Sequence, residues 1–358
     1  MSVLKILYQI DEKSRRIFKK NLVQRLNQKK IAARIKDNIA LSSNQKHSVK
    51  EFYRNYEKVG LVNFRYYLEK TGHFDVRFIA DSIWHTTISS YFNDMRLANY
   101  LDNKCLYHLL FPKVRQPELL AWRLNRIWYC REHDGSVVSS DKAIGLMKGN
   151  DCFVKLATNS CGGRGVFFFS NAMDVDGIKN TLNKNVGHND IVVQKRICQS
   201  STMARLNESS VNTLRVQTLL DRDGTVKILS TIVRMGIGGA TVDNASIGGI
   251  TCGVTETGRL KSVAYNIEGR KYDSHPDTGL HFEDITIPNY DSVLSMVKEV
   301  HPKVPWFRLV AWDIALDEED QPILLEFNTN GELGFLQLNN GPVFGDDTKA
   351  ILDEVYKV

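Results

Sequence analysis

The sequence predicts an α+β protein, with a helical N-terminal region over residues 1–100 and a mixed helix-and-strand region over 101–358. Three observations predict it. The chain up to about residue 130 is rich in Lys, Arg, Tyr, Leu and Asn and poor in Gly and Pro, the texture of helices. From about residue 135 short β-branched or aromatic runs alternate with Gly, Asn and Asp, the texture of strands and turns. Near the end, Trp312-Asp313-Ile314 and Leu325-Glu326-Phe327-Asn328 are apolar strand-like runs joined by the acidic turn Asp317-Glu318-Glu319-Asp320.

In order along the chain, the first element is a basic amphipathic helix near 13–36. Ile17, Phe18, Leu22, Val23 and Leu26 run at helical spacing through Lys13, Arg15, Arg16, Lys19, Lys20, Arg25, Lys29, Lys30, Arg34 and Lys36. Such a helix either packs as a solvated surface element or touches an anionic membrane or a partner protein. Phe52, Tyr53, Tyr56, Val59, Leu61 and Phe64 follow at loosely helical spacing between Ser48 and Lys70, as core aromatics. Pro112 and Pro117 punctuate the stretch before Leu119, Leu120 and Trp122. Strands are expected at 153–156, 165–169, 191–193, 214–220 and 226–234, the last two around the hairpin turn Asp223-Gly224. Helices are expected near 173–184 and 291–300.

Composition narrows the class. No run of about eighteen apolar residues occurs, and the N-terminus lacks the apolar core of a signal peptide. The six cysteines form no CxxC pair, which argues against a zinc site or a disulfide framework and points to a reduced, cytoplasmic setting. Net charge is +6, with no aromatic RNA-binding motif or zinc-finger spacing, so no nucleic-acid partner is expected.

Side chains alternate faces along a strand, so Glu326 and Asn328 point the same way, and Asp313 can join them across the hairpin. Two carboxylates and an amide oxygen form a hard-oxygen set suited to Mg²⁺ with phosphate oxygens, Mn²⁺ being the alternative. Upstream, Lys155 precedes Gly162-Gly163-Arg164-Gly165. Glycines there let backbone N–H groups approach phosphate oxygens, although the same pattern makes a plain hairpin turn. Gln194-Lys195-Arg196-Ile197 ends an apolar strand with a polar amide and free backbone, the form of an adenine hinge. Arg215 and Arg234 stand on expected strands, where each either neutralises phosphoryl charge or pairs with an acid. Asn244 lies in a further loop ending in Gly248-Gly249.

In that order these elements resemble the ATP-grasp superfamily. Val211-Asn-Thr-Leu-Arg-Val, Val242-Asp-Asn, His275-Pro-Asp-Thr-Gly279, Ile287-Pro288 and Ala311-Trp-Asp-Ile narrow the resemblance to its sugar-transfer-associated family, related to α-L-glutamate ligases. The resemblance implies an ATP-grasp fold, two α+β subdomains clasping ATP between about 150–200 and 205–340. It implies Lys155, Gly162, Gly163, Arg164, Gly165, Gln194, Lys195 and Ile197 at the nucleotide, Asp313, Glu326 and Asn328 at the metal, and Arg234, Asn244 and Arg215 as catalytic groups. Lys104 is a weak candidate for a further ATP lysine. The implied reaction is ADP-forming carboxylate–amine ligation in cell-surface polysaccharide synthesis. Its substrates would be a small carboxylate and an amine or sugar-linked acceptor, beside the membrane or a glycan-synthesis partner. A kinase on the same fold and a nucleotide-binding interaction module are the alternatives. This chain has Ala311 where most relatives have Gly, and no proline follows the metal asparagine. His275 is either a turn residue or a wall of the acceptor pocket.

Overall fold

A computed structural model describes residues 21–37, 39–101, 103–131, 135–158, 165–240 and 248–357. Gly162, Gly163, Arg164, Cys161 and Asn244 lie outside the described residues, as does the first part of the basic segment, residues 13–20.

Among the described residues thirteen strands form two antiparallel sheets. The first holds β1 (Leu119–Leu124), β2 (Ile127–Cys130), β3 (Ser136–Val138), β4 (Cys152–Leu156), β5 (Val166–Phe169) and β6 (Ile191–Lys195), in the order β3-β2-β1-β6-β4-β5. The second holds β7 (Thr213–Leu220), β8 (Val226–Met235), β9 (Ile250–Val254), β10 (Leu260–Tyr265), β11 (Lys271–Tyr272), β12 (Leu309–Leu316) and β13 (Pro322–Asn328). Its order is β11-β10-β9-β8-β7-β12-β13. The α+β class and the strands expected from residue 153 onward are as the sequence reads. Helices at Val175–Asn185 and Tyr290–Val300 match the expected ones.

Helical texture does not extend to residue 130, because β1 and β2 already form a hairpin there. Its turn is Asn125-Arg126, both in the left-handed region (φ 49° and 67°), so the tight two-residue turn forms without the glycine that would have announced it. The loosely helical spacing between Ser48 and Lys70 belongs to two helices, Ser43–Tyr53 and Val62–Thr71. The first is started by a capping box, with Gln45 N–H donating to Ser42 Oγ and Gln45 Oε1 accepting from Ser42 N–H.

Alternation of side chains gives the seven-stranded sheet two different faces. One buries Leu214, Val216, Val233, Trp312 and Phe327 against Val293, Val297 and Val300 of the helix Tyr290–Val300. The other buries Leu219, Ile232 and Leu309 against Tyr53, Phe64, Tyr67 and Trp84 of the N-terminal helices and Leu333, Leu336 and Leu352 near the C-terminus. The aromatics near residue 60 are core, as expected. Buried Gln337 ties these helices together, accepting from Ile79 N–H and donating to Ile79 O and Tyr67 Oη. Of the basic segment, residues 21–32 are helical; Ile31 is in the core while Leu22 and Leu26 are exposed.

Beneath Trp312, Nε1–H donates to Thr218 Oγ1, which also meets His301 Nδ1 at 2.8 Å, while His301 Nε2–H donates to Phe307 O. Burial pulls His301 down to about 4. The unfolded chain then binds a proton that the folded one refuses, so the contribution is fully present above about pH 6.5 and lost as pH falls toward 4. The wild type is expected to lose about 2 kcal/mol more than His301→Gln between pH 7 and pH 4.5. Urea unfolding at the two pH values measures it; parallel losses would contradict a neutral buried His301.

Candidate active site

The register of the seven-stranded sheet sets Arg215 on β7 opposite Asp313 on β12, and Asp313 opposite Glu326 on β13. Directly paired residues share a face, so Asn328, two positions along, and Arg234 on β8 join them. Arg215 grips Asp313 with two parallel bonds, Nε to Oδ1 at 2.8 Å and Nη2 to Oδ2 at 2.7 Å. Arg234 Nη1 donates to the same Oδ2 at 3.0 Å. Side-chain exposure is 14%, 10% and 3% for Arg215, Arg234 and Asp313, so this triplet is shielded from water. Burial would raise the Asp313 carboxyl, but the Arg215 and Arg234 charges override it and hold it down at about 2. Burial likewise works against the charge of Arg215; Asp313 outweighs it, with Glu326 and Glu332 adding to the field, and holds the guanidinium above its ordinary value.

Like charges directly across a strand pair repel unless a cation is supplied. Here the protein supplies cations on both flanks, the arginines behind Asp313 and Lys104, whose Nζ lies 3.1 Å from Glu326 Oε2. A register shift beside Asp313 leaves Leu325 without a partner and re-aims the end of β13. Asn328 Nδ2 is buried without a hydrogen-bond partner. Which amide atom points there is fixed only by its bonds, so the amide is free to turn its oxygen to the same side as Glu326. Among the described residues no cluster of three His, Cys, Asp or Glu exists, so the donor set is two carboxylates and one amide. These hard oxygens fit Mg²⁺.

Lys155, Gln194 and Lys195 sit on the six-stranded sheet. Lys155 on β4 lies opposite Val166 of β5 and Val192 of β6. Gly165 adopts φ +78°, and a Cβ there would lie 2.7 Å from Leu156 Cδ1, so only glycine fits the turn. Gln194 is buried on β6 between Leu119 and Phe153, and Lys195 pairs with Glu118 at 2.9 Å. Ile197 lies in the stretch after β6 that carries the chain to the second sheet, where Ser200 N–H reaches Leu316 O. The two groups meet through Lys104, whose N–H donates to Ala157 O just past β4 while its side chain reaches Glu326. Lys104 was the weakest sequence candidate; only the fold reveals its partner.

His275 is fully buried, with Nε2 3.0 Å from Gly236 O and Nδ1 accepting from Asp277 N–H. Both ring nitrogens are used, so it braces the chain beyond β8 and has no lone pair for an acceptor. Cys105, Cys152 and Cys252 are buried thiols raised to about 12 by burial, poor nucleophiles.

One antiparallel sheet carries Lys155 and the turn at Gly165 and the second carries Asp313, Glu326 and Asn328, the arrangement expected of the ATP-grasp class. The chain belongs to the sugar-transfer associated ATP-grasp family, whose sequence profile matches residues 85–352. No curated protein matches the sequence. Among solved structures, D-alanyl-alanine synthetase A from Vibrio cholerae is similar at 14% identity and TM-score 0.42, over 71% of this chain and 64% of that one. An L-amino acid ligase from Bacillus licheniformis is similar at 12% identity and TM-score 0.42, over 74% of this chain and 49% of that one. N5-carboxyaminoimidazole synthetase from Staphylococcus aureus is similar at 10% identity and TM-score 0.37, over 65% of this chain. The chain spans less than half of that synthetase, 45%. Likeness this distant carries nothing about substrate. No described helix is long and apolar enough to cross a membrane.

Proposed function

We propose that the protein is an ADP-forming carboxylate–amine ligase that joins an amino acid or similar group to a sugar in cell-surface polysaccharide synthesis. The observation that carries the chemistry is the row Arg234, Arg215, Asp313, Glu326 and Asn328 on one sheet face, closed by Lys104 from the other side. Family membership supplies the link to sugar transfer.

Asp313, Glu326 and Asn328 would hold Mg²⁺, with Mn²⁺ as a substitute, and that cation supplies charge neutralisation at the phosphates. Lys155 and the turn at Gly165 hold phosphate oxygens, and Gln194, Lys195 and Ile197 take the adenine. Arg215, with both arms on Asp313, positions the carboxylate. Arg234, on the same sheet face, would face the transferring phosphoryl group, and the resemblance assigns Asn244 to the same step. The substrate carboxylate takes the γ-phosphoryl group, ADP leaves, and an amine displaces phosphate from the acyl phosphate to form the amide. The setting is cytoplasmic, and residues 13–36 supply a basic surface toward an anionic membrane or a glycan-synthesis partner.

Hydroxylamine tests the intermediate. Incubated with ATP, Mg²⁺, hydroxylamine and a panel of amino acids and uronic acids, the protein is expected to give acid-dependent hydroxamate with ADP release. A phosphorylated alcohol in its place would assign a kinase. No ATP turnover with any acceptor would leave a nucleotide-binding module.

A further inference from the structure

A pocket lies on the same sheet face as the metal ligands, lined by Lys30, Arg34, Tyr66, Asp81, His85 and Glu332. Lys30, Arg34, Tyr66 and Asp81 precede the segment matched by the family profile, which begins at residue 85. Its floor is the loop that leaves β13. Trp84 Nε1–H donates to Gly331 O at 2.9 Å and His85 Nδ1–H to Asn330 Oδ1 at 2.8 Å. Both donors start a π-helical turn, Trp84–Ile88, a wider winding that brings them to bear on the loop.

The pocket carries an unmet demand. Asp81 Oδ1 is buried without a hydrogen-bond partner, and Glu332 stands beside it in charge. A buried carboxylate oxygen left without a donor is costly, and an ammonium group would satisfy it. Cationic groups line the same pocket. Lys30 and Arg34 face the same space, and the helix Leu333–Asn340 opens onto it. Its N-cap Glu332 makes no side-chain capping bond, which leaves first-turn N–H groups for an anion. The pocket is also in electrical contact with the phosphate centre, because Glu332 adds to the field at Arg215.

Resting on the ligase reading above, we propose that this pocket binds the amine substrate as a zwitterion. Asp81 and Glu332 take its ammonium, and Arg34, Lys30 and the helix N-terminus take its carboxylate. An α-amino acid is the smallest molecule with that pattern. Burial raises Asp81, opposed by the charges of His85, Arg34 and Lys30. Part of the basic N-terminal segment, Lys30 and Arg34, is then a substrate wall.

The test is calorimetric titration of the full-length protein, saturated with Mg²⁺ and a non-hydrolysable ATP analogue, with each standard L-amino acid, its N-acetyl derivative and its amide. At least one amino acid is expected to bind, with both derivatives weakened tenfold or more. Asp81→Asn and Arg34→Met are each expected to weaken it tenfold or more and leave affinity for the ATP analogue unchanged. Asparagine matches aspartate in shape and Arg34 is partly exposed, so both variants should fold. Absence of amino-acid binding, or binding indifferent to both variants, would overturn the pocket. An equal loss of nucleotide affinity would overturn it as well. Nucleotide binding without amino-acid binding sinks the pocket alone; amino-acid binding without acid-dependent hydroxamate sinks the ligase alone.

Discussion

Glu326→Gln is expected to lower turnover about 10³-fold or more, the scale of several kcal/mol that a metal ligand contributes at a phosphoryl centre. Stability should stay within about 1 kcal/mol of the wild type. Glu326 is 26% exposed, and its pair with Lys104 at 3.1 Å is partly wet, so the pair itself is worth little. The amide keeps the shape and an oxygen for Lys104. It also removes one of two carboxylates that face each other across β12 and β13, relieving repulsion. The loss therefore falls on cation binding and not on the fold. Titrating a fluorescent ATP analogue with Mg²⁺, alongside urea unfolding, separates the two. A fully active Glu326→Gln protein would refute the metal assignment.

Much of this site was legible in the residues because strand alternation is a local rule. It put Glu326 and Asn328 on one face, and the hairpin turn brought Asp313 across from them, as the register shows. The partners were not legible. Asp313 is held by arginines 98 and 79 positions away, and which strands lie side by side is a property of the order β8-β7-β12-β13. Sequence reading offered Arg215 and Arg234 either a phosphoryl group or an acid; both take the acid, and the same acid. The hairpin β1–β2 was hidden because Asn125 and Arg126 adopt the left-handed region without glycine. The Asp81 pocket was hidden for a different reason. Its residues come from five separate segments and meet only when the N-terminal helices pack on the sheet, and no motif spans them. Gly162, Gly163, Arg164 and Asn244 fall outside the described residues, so their part rests on the resemblance.

Asp313→Ala is expected to remove turnover as well, but by a route that Glu326→Gln avoids, at a cost of about 3–5 kcal/mol in stability. The Asp313 carboxylate is 3% exposed and offsets two guanidinium groups that are themselves 14% and 10% exposed. Removing it leaves two positive charges facing each other in a shielded row, with donors that lose their acceptors. A cavity where the carboxylate stood adds to the loss. The penalty belongs to the stranded charge more than to the missing contact, so deleting a charge should return part of it. Asp313→Leu with Arg215→Met is expected to be more stable than Asp313→Leu alone, because the guanidinium that made two bonds to Asp313 goes with its partner. Urea unfolding of the four proteins in that cycle gives the coupling. A loss below about 1 kcal/mol for Asp313→Ala would mean the row is solvated enough to do without its carboxylate. With the larger loss, Asp313 serves the sheet and the cation at once, and any variant there must be read for folding before it is read for catalysis.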